Sequence, residues 1–325
     1  MTIHRPRPTR RSFLAGLLSC GLAAGCLRPL ETLAATGNHR QTALFMGTFV
    51  TIDAVGVSAA HADDAMAAAF AEGRRLEALL TRHDAAAPLG VLNAQGRLSD
   101  VPGELRCVLD AAADMHAASH GAFDPTILPV LDALASGASE REAARLYGSV
   151  DYTRLERGHD LVLPAGMAVT LDGIAKGQVA QAMSDALYRH GVRDHLVNAG
   201  GDIVARGCPE KGRRWRVAVE DPAHRGRYPS VIELGDAAIA TSGVYEQKVG
   251  AAGADHLVLP ATRSWSETVS ASVIAPAGAR ADALATAFSV MAPNDALRTA
   301  ARLPGVSLCL VLASGRVRTS PGWPA

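Results

Sequence analysis

Leu171-Asp172-Gly173-Ile174-Ala175-Lys176-Gly177 reads as a loop opening a helix, and Val197-Asn198-Ala199-Gly200-Gly201-Asp202 reads as the end of a strand. Glycines at such junctions let backbone N–H groups approach an anionic ligand, and a helix N-terminus adds a favourable dipole. Taken singly, either block has the composition of an ordinary turn. Their neighbours decide the fold. A strand pattern spans Gln41–Val55, and helical stripes follow over residues 62–82 (Met66, Phe70, Leu76, Leu79, Leu80) and from Glu104 to Ser119, stopped by Gly121. Gln178–His190 places Val179, Met183, Ala186 and Leu187 on one helical face before Gly191.

Beyond the second block, strands are expected at His195–Ala205, Trp215–Glu220, Val231–Leu234, His256–Leu259, Val269–Ile274 and Val306–Leu312. Helices cover Ala281–Met291 and Asp295–Leu303, and a Gly/Pro-rich tail closes the chain. Strands joined by short turns, with helices grouped elsewhere, indicate an α+β fold with mixed, largely antiparallel sheets. No linker divides residues 36–325, so one domain is expected there.

The chain has 325 residues, 48% hydrophobic and 20% charged, which is ample for a sizeable core. Its formal charge is zero, but residues 1–35 hold five basic residues against Glu31 alone, leaving 27 basic and 31 acidic beyond. That balance lacks the basic stripe of a nucleic-acid binder. The N-terminus reads as an export signal: Thr9-Arg10-Arg11-Ser12-Phe13-Leu14 is a twin-arginine pattern, and an apolar run from Phe13 to Leu27 follows. Cleavage is expected near Ala34 or Ala35, with a periplasmic product. Cys26 after Leu22-Ala23-Ala24-Gly25 resembles a lipoprotein acceptor, with Ala23 where leucine is usual, so an inner-membrane anchor is an alternative. Cys107, Cys208 and Cys309 form no disulfide framework or metal spacing, and Cys107 and Cys309 are expected in the core.

Asp282 and Thr286 stack a carboxylate and a hydroxyl one helical turn apart, hard oxygens of the kind that suit Mg²⁺. Taken alone, the pair is better explained by an Asp near a helix N-terminus with Thr286 incidental. Gly121-Ala122-Phe123-Asp124-Pro125-Thr126 exposes a loop in which Phe123 offers a flat surface and Asp124 an acceptor; taken alone, it is better explained by an Asp-Pro turn over a core Phe. The unperturbed pKa of a histidine suits a base working near neutrality, so His256 is a candidate, with a surface histidine hydrogen-bonded to backbone the common alternative. His116 and His120 lie four apart without the glutamate of a His-based metal motif.

Met46-Gly47-Thr48, the Gly121–Thr126 loop, Gly173–Gly177, Asn198–Asp202, Trp215 through Pro222, Thr241-Ser242-Gly243-Val244-Tyr245 and Asp282–Ala287 stand in the order of the ApbE family. The chain resembles that family over residues 42–313. The resemblance implies an exported, Mg²⁺-dependent FAD:protein FMN transferase. It implies FAD contacts from Met46, Ala122, Phe123, Asp124, Lys176 and Val258, with His83 and Thr170 at two further flavin positions. Mg²⁺ would be held by the Gly173 carbonyl, Asp282 and Thr286, and His256 would take the proton. Departures are His83 for the usual tyrosine, Thr170 for Asp, Asp172 for Gly and Leu259 for Asp. The Thr170-Leu171-x-Gly173-Ile174-Ala175 form resembles the NosX branch, associated with maturation of the flavoprotein NosR.

The implied reaction is attack of a threonine or serine hydroxyl on the FMN-side phosphorus of FAD, with AMP leaving. The implied acceptor is a periplasm-facing flavoprotein, such as a NosR-like protein or an Rnf/Nqr-type subunit. Two other readings stay open on the sequence: a protein that holds FAD as an electron carrier, and a pyrophosphatase giving FMN and AMP.

Overall fold

The apolar pattern through Gln41–Val55 hides a reversal. The chain folds back at Met46-Gly47, both residues at positive φ (55° and 67°), giving β1 (Gly37–Phe45) and β2 (Thr48–Val57) in place of one strand. Two consecutive left-handed residues match the twist of a tight hairpin. The expected strand His195–Ala205 divides in the same way at Gly200-Gly201, whose φ values are 64° and 104°. The computed structural model describes residues 37–220, 226, 228–243, 248–249, 254–255 and 267–324. His256, Val258, Leu259, Cys26 and the export signal at 1–35 lie outside the described residues.

After β2 come α1 (Ala59–Leu80), α2 (Pro88–Gln95), β3 (Arg97–Leu98), α3 (Gly103–Ala118), α4 (Leu128–Ala135), α5 (Glu140–Ala143), β4 (Glu156–Arg157) and β5 (Leu161–Val162). Then follow α6 (Ala175–Arg189), β6 (Asp194–Ala199), β7 (Asp202–Arg206), β8 (Trp215–Val219), β9 (Ser230–Leu234), β10 (Ala237–Gly243), β11 (Lys248–Val249) and β12 (Ala254–Asp255). The chain closes with β13 (Thr268–Ala275), α7 (Gly278–Val290), α8 (Pro293–Arg302), β14 (Ser307–Leu312) and β15 (Val317–Thr319). The main sheet runs β1-β2-β6-β7-β10-β13-β14-β15, and every pairing among the described strands is antiparallel.

One face of that sheet carries the larger core. Val50, Ile52, Val197, Val204, Ala240 and Val273 meet α1, α6 and α7 there. Leu196, Ile203 and Ile239 point the other way, where Trp215, Val217 and Ile232 of the β8–β9 hairpin cover them. α7 is buried almost all round, from Ala281 to Val290, and serves as the central helix. α3 ends in a Schellman motif: the Gly121 N–H donates to the His116 carbonyl at 2.8 Å and the His120 N–H to Ala117 at 3.2 Å. The left-handed C′ residue is thus His120 (φ 55°), with Gly121 one place later than the sequence suggests. Cys309 is buried and its thiol pushed up to about 11 by desolvation, but Cys107 is exposed on α3, contrary to its expected place in the core.

Candidate active site

Two loops and a helix meet here, tied by backbone and side-chain hydrogen bonds. The Thr170 N–H donates to the Pro125 carbonyl (2.8 Å), stitching the glycine-rich loop to the Ala122–Pro125 loop. The Thr170 hydroxyl then accepts the Asp172 N–H at 3.1 Å, turning the chain into α6. On the far side, the Gly177 N–H donates to Asp282 Oδ2 at 2.9 Å, so the first turn of α6 is held by a carboxylate of α7. A Cβ on Gly177 would stand 2.2 Å from the Gly278 carbonyl oxygen; only glycine allows this approach.

Gly173 sits between Phe123 and Thr286. A Cβ placed on it would meet Thr286 Oγ1 at 2.9 Å and the Phe123 ring at 3.3 Å. Thr286 Oγ1 lies 3.5 Å from the Gly173 carbonyl oxygen and 3.3 Å from Ser242 Oγ, and Asp282, 2% exposed, is one turn earlier on the same helix. A carbonyl, a hydroxyl and a buried carboxylate therefore converge as hard oxygen donors, a set that fits Mg²⁺. Among the described residues, no group of three or more His, Cys, Asp or Glu side chains forms a metal cage.

These groups face a cleft of about 540 Å³. Met46, His83, Ala122, Phe123, Asp124, Thr170, Gly173, Lys176, Asp282 and Thr286 all line it, so the described residues that the resemblance assigns to FAD or Mg²⁺ are brought to one place. Met46 is presented by its left-handed turn, and its N–H donates to Glu77 Oε1 at 2.6 Å. Met46 is a non-glycine residue in that region, so the turn is locally strained at the cleft wall. His83 is exposed just beyond α1, where its N–H meets Thr81 Oγ1 at 3.2 Å.

Asp124 is engaged by the protein itself. Oδ1 accepts from the Thr126 N–H (2.8 Å) and hydroxyl (2.6 Å), while Oδ2 accepts from the Tyr152 N–H (3.1 Å) with His116 Nδ1 3.5 Å away. Its carboxylate thus shapes the loop that carries Phe123. Lys176 Nζ lies 3.0 Å from Asp202 Oδ2. Asp202 is 2% exposed; burial raises its carboxyl pKa, and the Lys176 charge opposes that rise.

The sequence reading missed Glu77, Arg82, Asp202 and Ser242 as site residues. Arg82 spans the rim, with Nε 3.0 Å from Asp172 Oδ2 and Nη1 3.5 Å from Asp132 Oδ1. Asp202 ends the Asn198–Asp202 block and could have been found there; Glu77 and Arg82 look like ordinary charges on or just after a helix.

The model of the ApbE family matches residues 46–310. A Rhodobacter capsulatus protein named FAD:protein FMN transferase is 31% identical over 333 residues, covering 96% of this chain and 62% of its own length. A Treponema pallidum protein of the same name is 27% identical, with 95% of this chain and 91% of that protein covered. The chain thus spans under two thirds of the first relative and nearly all of the second. The crystal structure of the ApbE protein from Thermotoga maritima superposes with a TM-score of 0.79 at 23% identity, over 87% of this chain and 97% of that one, a likeness of fold.

Proposed function

The chain belongs to the ApbE family, and from that premise we propose that it transfers FMN from FAD to a threonine or serine hydroxyl of an acceptor flavoprotein, releasing AMP. The observation that carries the reading is the convergence of the Gly173 carbonyl, Asp282 and Thr286 beside Lys176 in one cleft. An electron carrier has little use for hard oxygens set for a metal beside its flavin.

The cleft's own residues do most of the work. Met46, Ala122 and Phe123 offer an apolar wall for the isoalloxazine, and the Asp124 network holds that wall in shape. Lys176 sets positive charge beside the reacting phosphates, and Asp202 fixes where its ammonium stands. Gly173, Asp282 and Thr286 would hold Mg²⁺, which supplies charge neutralisation at the diphosphate when bound. The acceptor hydroxyl attacks the FMN-side phosphorus and a new P–O–C bond forms. The P–O bond to AMP breaks, AMP keeps the bridging oxygen, and the hydroxyl proton passes to a base. His256 is proposed as that base.

Purified chain, FAD, Mg²⁺ and an acceptor protein run on a denaturing gel test the activity: covalent fluorescence on the acceptor supports it, and free FMN with AMP alone indicates a pyrophosphatase. The pattern at Arg10-Arg11 supports periplasmic delivery by the twin-arginine route. Replacing both with lysine should hold the precursor in the cytoplasm, and unchanged export would remove that assignment.

A further inference from the structure

Resting on that reading, we propose that Arg82 is a specificity-determining residue that recognises the diphosphate of the bound dinucleotide, and that Asp172 and Asp132 hold it in waiting. Among the described residues lining the cleft, the acids are Glu77, Asp124, Asp132, Asp172 and Asp282, and the cations are Arg82 and Lys176. A dinucleotide adds its own negative charge to that wall, so the cations decide whether it stays.

The two cations differ in what they leave behind. Lys176 is paired with Asp202, 2% exposed; drawing it away would strand a buried carboxylate, which is costly. Arg82 is paired with Asp172 and Asp132, whose side chains are 58% and 59% exposed, so both can return to water. Exposed ion pairs contribute little, and exchange of partner is correspondingly easy. The guanidinium forks onto phosphate oxygens by two parallel hydrogen bonds, a geometry an ammonium cannot offer.

Location agrees. Asp172 directly precedes Gly173, whose carbonyl belongs to the oxygen set, so Arg82 already touches the residue beside the phosphate-handling groups. In this arrangement Asp172 competes with the ligand for Arg82. A merely structural clasp predicts the opposite response to its loss.

FAD and riboflavin, which lacks phosphate, are titrated against the full chain in Mg²⁺ buffer and followed by flavin fluorescence. Arg82→Ala and Arg82→Gln should weaken FAD binding by about 10- to 100-fold, as expected for lost charged hydrogen bonds, and leave riboflavin unchanged. Arg82→Lys should fall between, which guards against a folding defect in the truncated variant. Asp172→Asn should tighten FAD by up to about fivefold. Unchanged FAD binding in the Arg82 variants, equal loss for both ligands, or weaker FAD binding in Asp172→Asn would each overturn the proposal. A wild-type chain that binds no FAD would instead remove the transferase reading, and this inference with it.

Discussion

The Gly177 N–H donates to Asp282 Oδ2 at 2.9 Å, joining residues 105 apart in the chain at the crossing of α6 and α7. The same crossing has the Gly177 and Gly278 backbones in direct apposition. The site's carboxylate is thus positioned where two helix backbones meet, and packing and chemistry share one point.

Gly177→Ala should therefore damage both. Its Cβ would meet the Gly278 oxygen at 2.2 Å and Asp282 Cβ at 2.8 Å, and a backbone atom cannot rotate away. Overpacking of this kind costs about 1–3 kcal/mol or more. Thermal melts should show a lowered Tm together with lost flavin transfer. A variant with wild-type Tm would mean the helices can part freely.

Lys176→Ala leaves the Asp202 carboxylate buried without its cation. Removing one partner of a buried pair costs about 3 kcal/mol. Asp202 is raised by burial even with Lys176 present, so the variant's folded-state pKa lies further above the unfolded value. A raised carboxyl contributes stability below its unfolded pKa and loses it as pH rises through the folded one. Chemical denaturation should show a deficit that is small near pH 4 and widens toward pH 8. A deficit constant with pH would remove Asp202 as its cause.

His195 is fully buried; Nδ1 pairs with the Val192 carbonyl at 2.9 Å and Nε2 with Ser184 Oγ at 2.7 Å. Desolvation lowers its pKa from 6.5 to about 4. The unfolded chain then binds the proton more readily, so stability is full above pH 6.5 and falls as pH drops toward 4, by about 3 kcal/mol from this residue. Denaturation of His195→Asn should show a flatter profile over that window. An equally steep one would place the proton elsewhere.

The proposed base can be tested apart from the proposed metal ligands. A positioned base contributes about 10²–10⁴-fold, so His256→Ala should slow transfer by that factor while FAD binding holds. Asp172, which also lines the cleft, is the other carboxylate that could take the proton. With His256 as base, Asp172→Asn should transfer flavin at near wild-type rate, and a slow Asp172→Asn with a fast His256→Ala would reverse the assignment.

What could be read from the sequence was the fold class and, through the family resemblance, residues that line one cleft. Asp282 and Thr286 are near in sequence, and the Gly173 block announces itself by composition. The hairpin at Met46-Gly47 was hidden among the apolar residues on either side of it, and the Gly200-Gly201 block, legible as a turn, was not placed as a reversal within His195–Ala205. β10 escaped notice because Ala237-Ala238-Ile239-Ala240-Thr241-Ser242-Gly243 has a single aliphatic β-branched residue, although it is a central strand. Its burial comes from two neighbouring strands and α7, not from its own propensity. Arg82 and Asp202 gain their roles from partners 90 and 26 residues away, which no local pattern records.

The central claim is transfer of FMN by the oxygen set around Asp282. Asp282→Asn is the discriminating variant, because its amide oxygen can still accept the Gly177 N–H while the metal-binding charge is lost. In-gel flavin fluorescence of the acceptor protein, with FAD and Mg²⁺, should be strong for wild type. It should be abolished by Asp282→Asn or by chelator, with the melting temperature of the variant near wild type. Full labelling by Asp282→Asn in the presence of chelator would contradict the account.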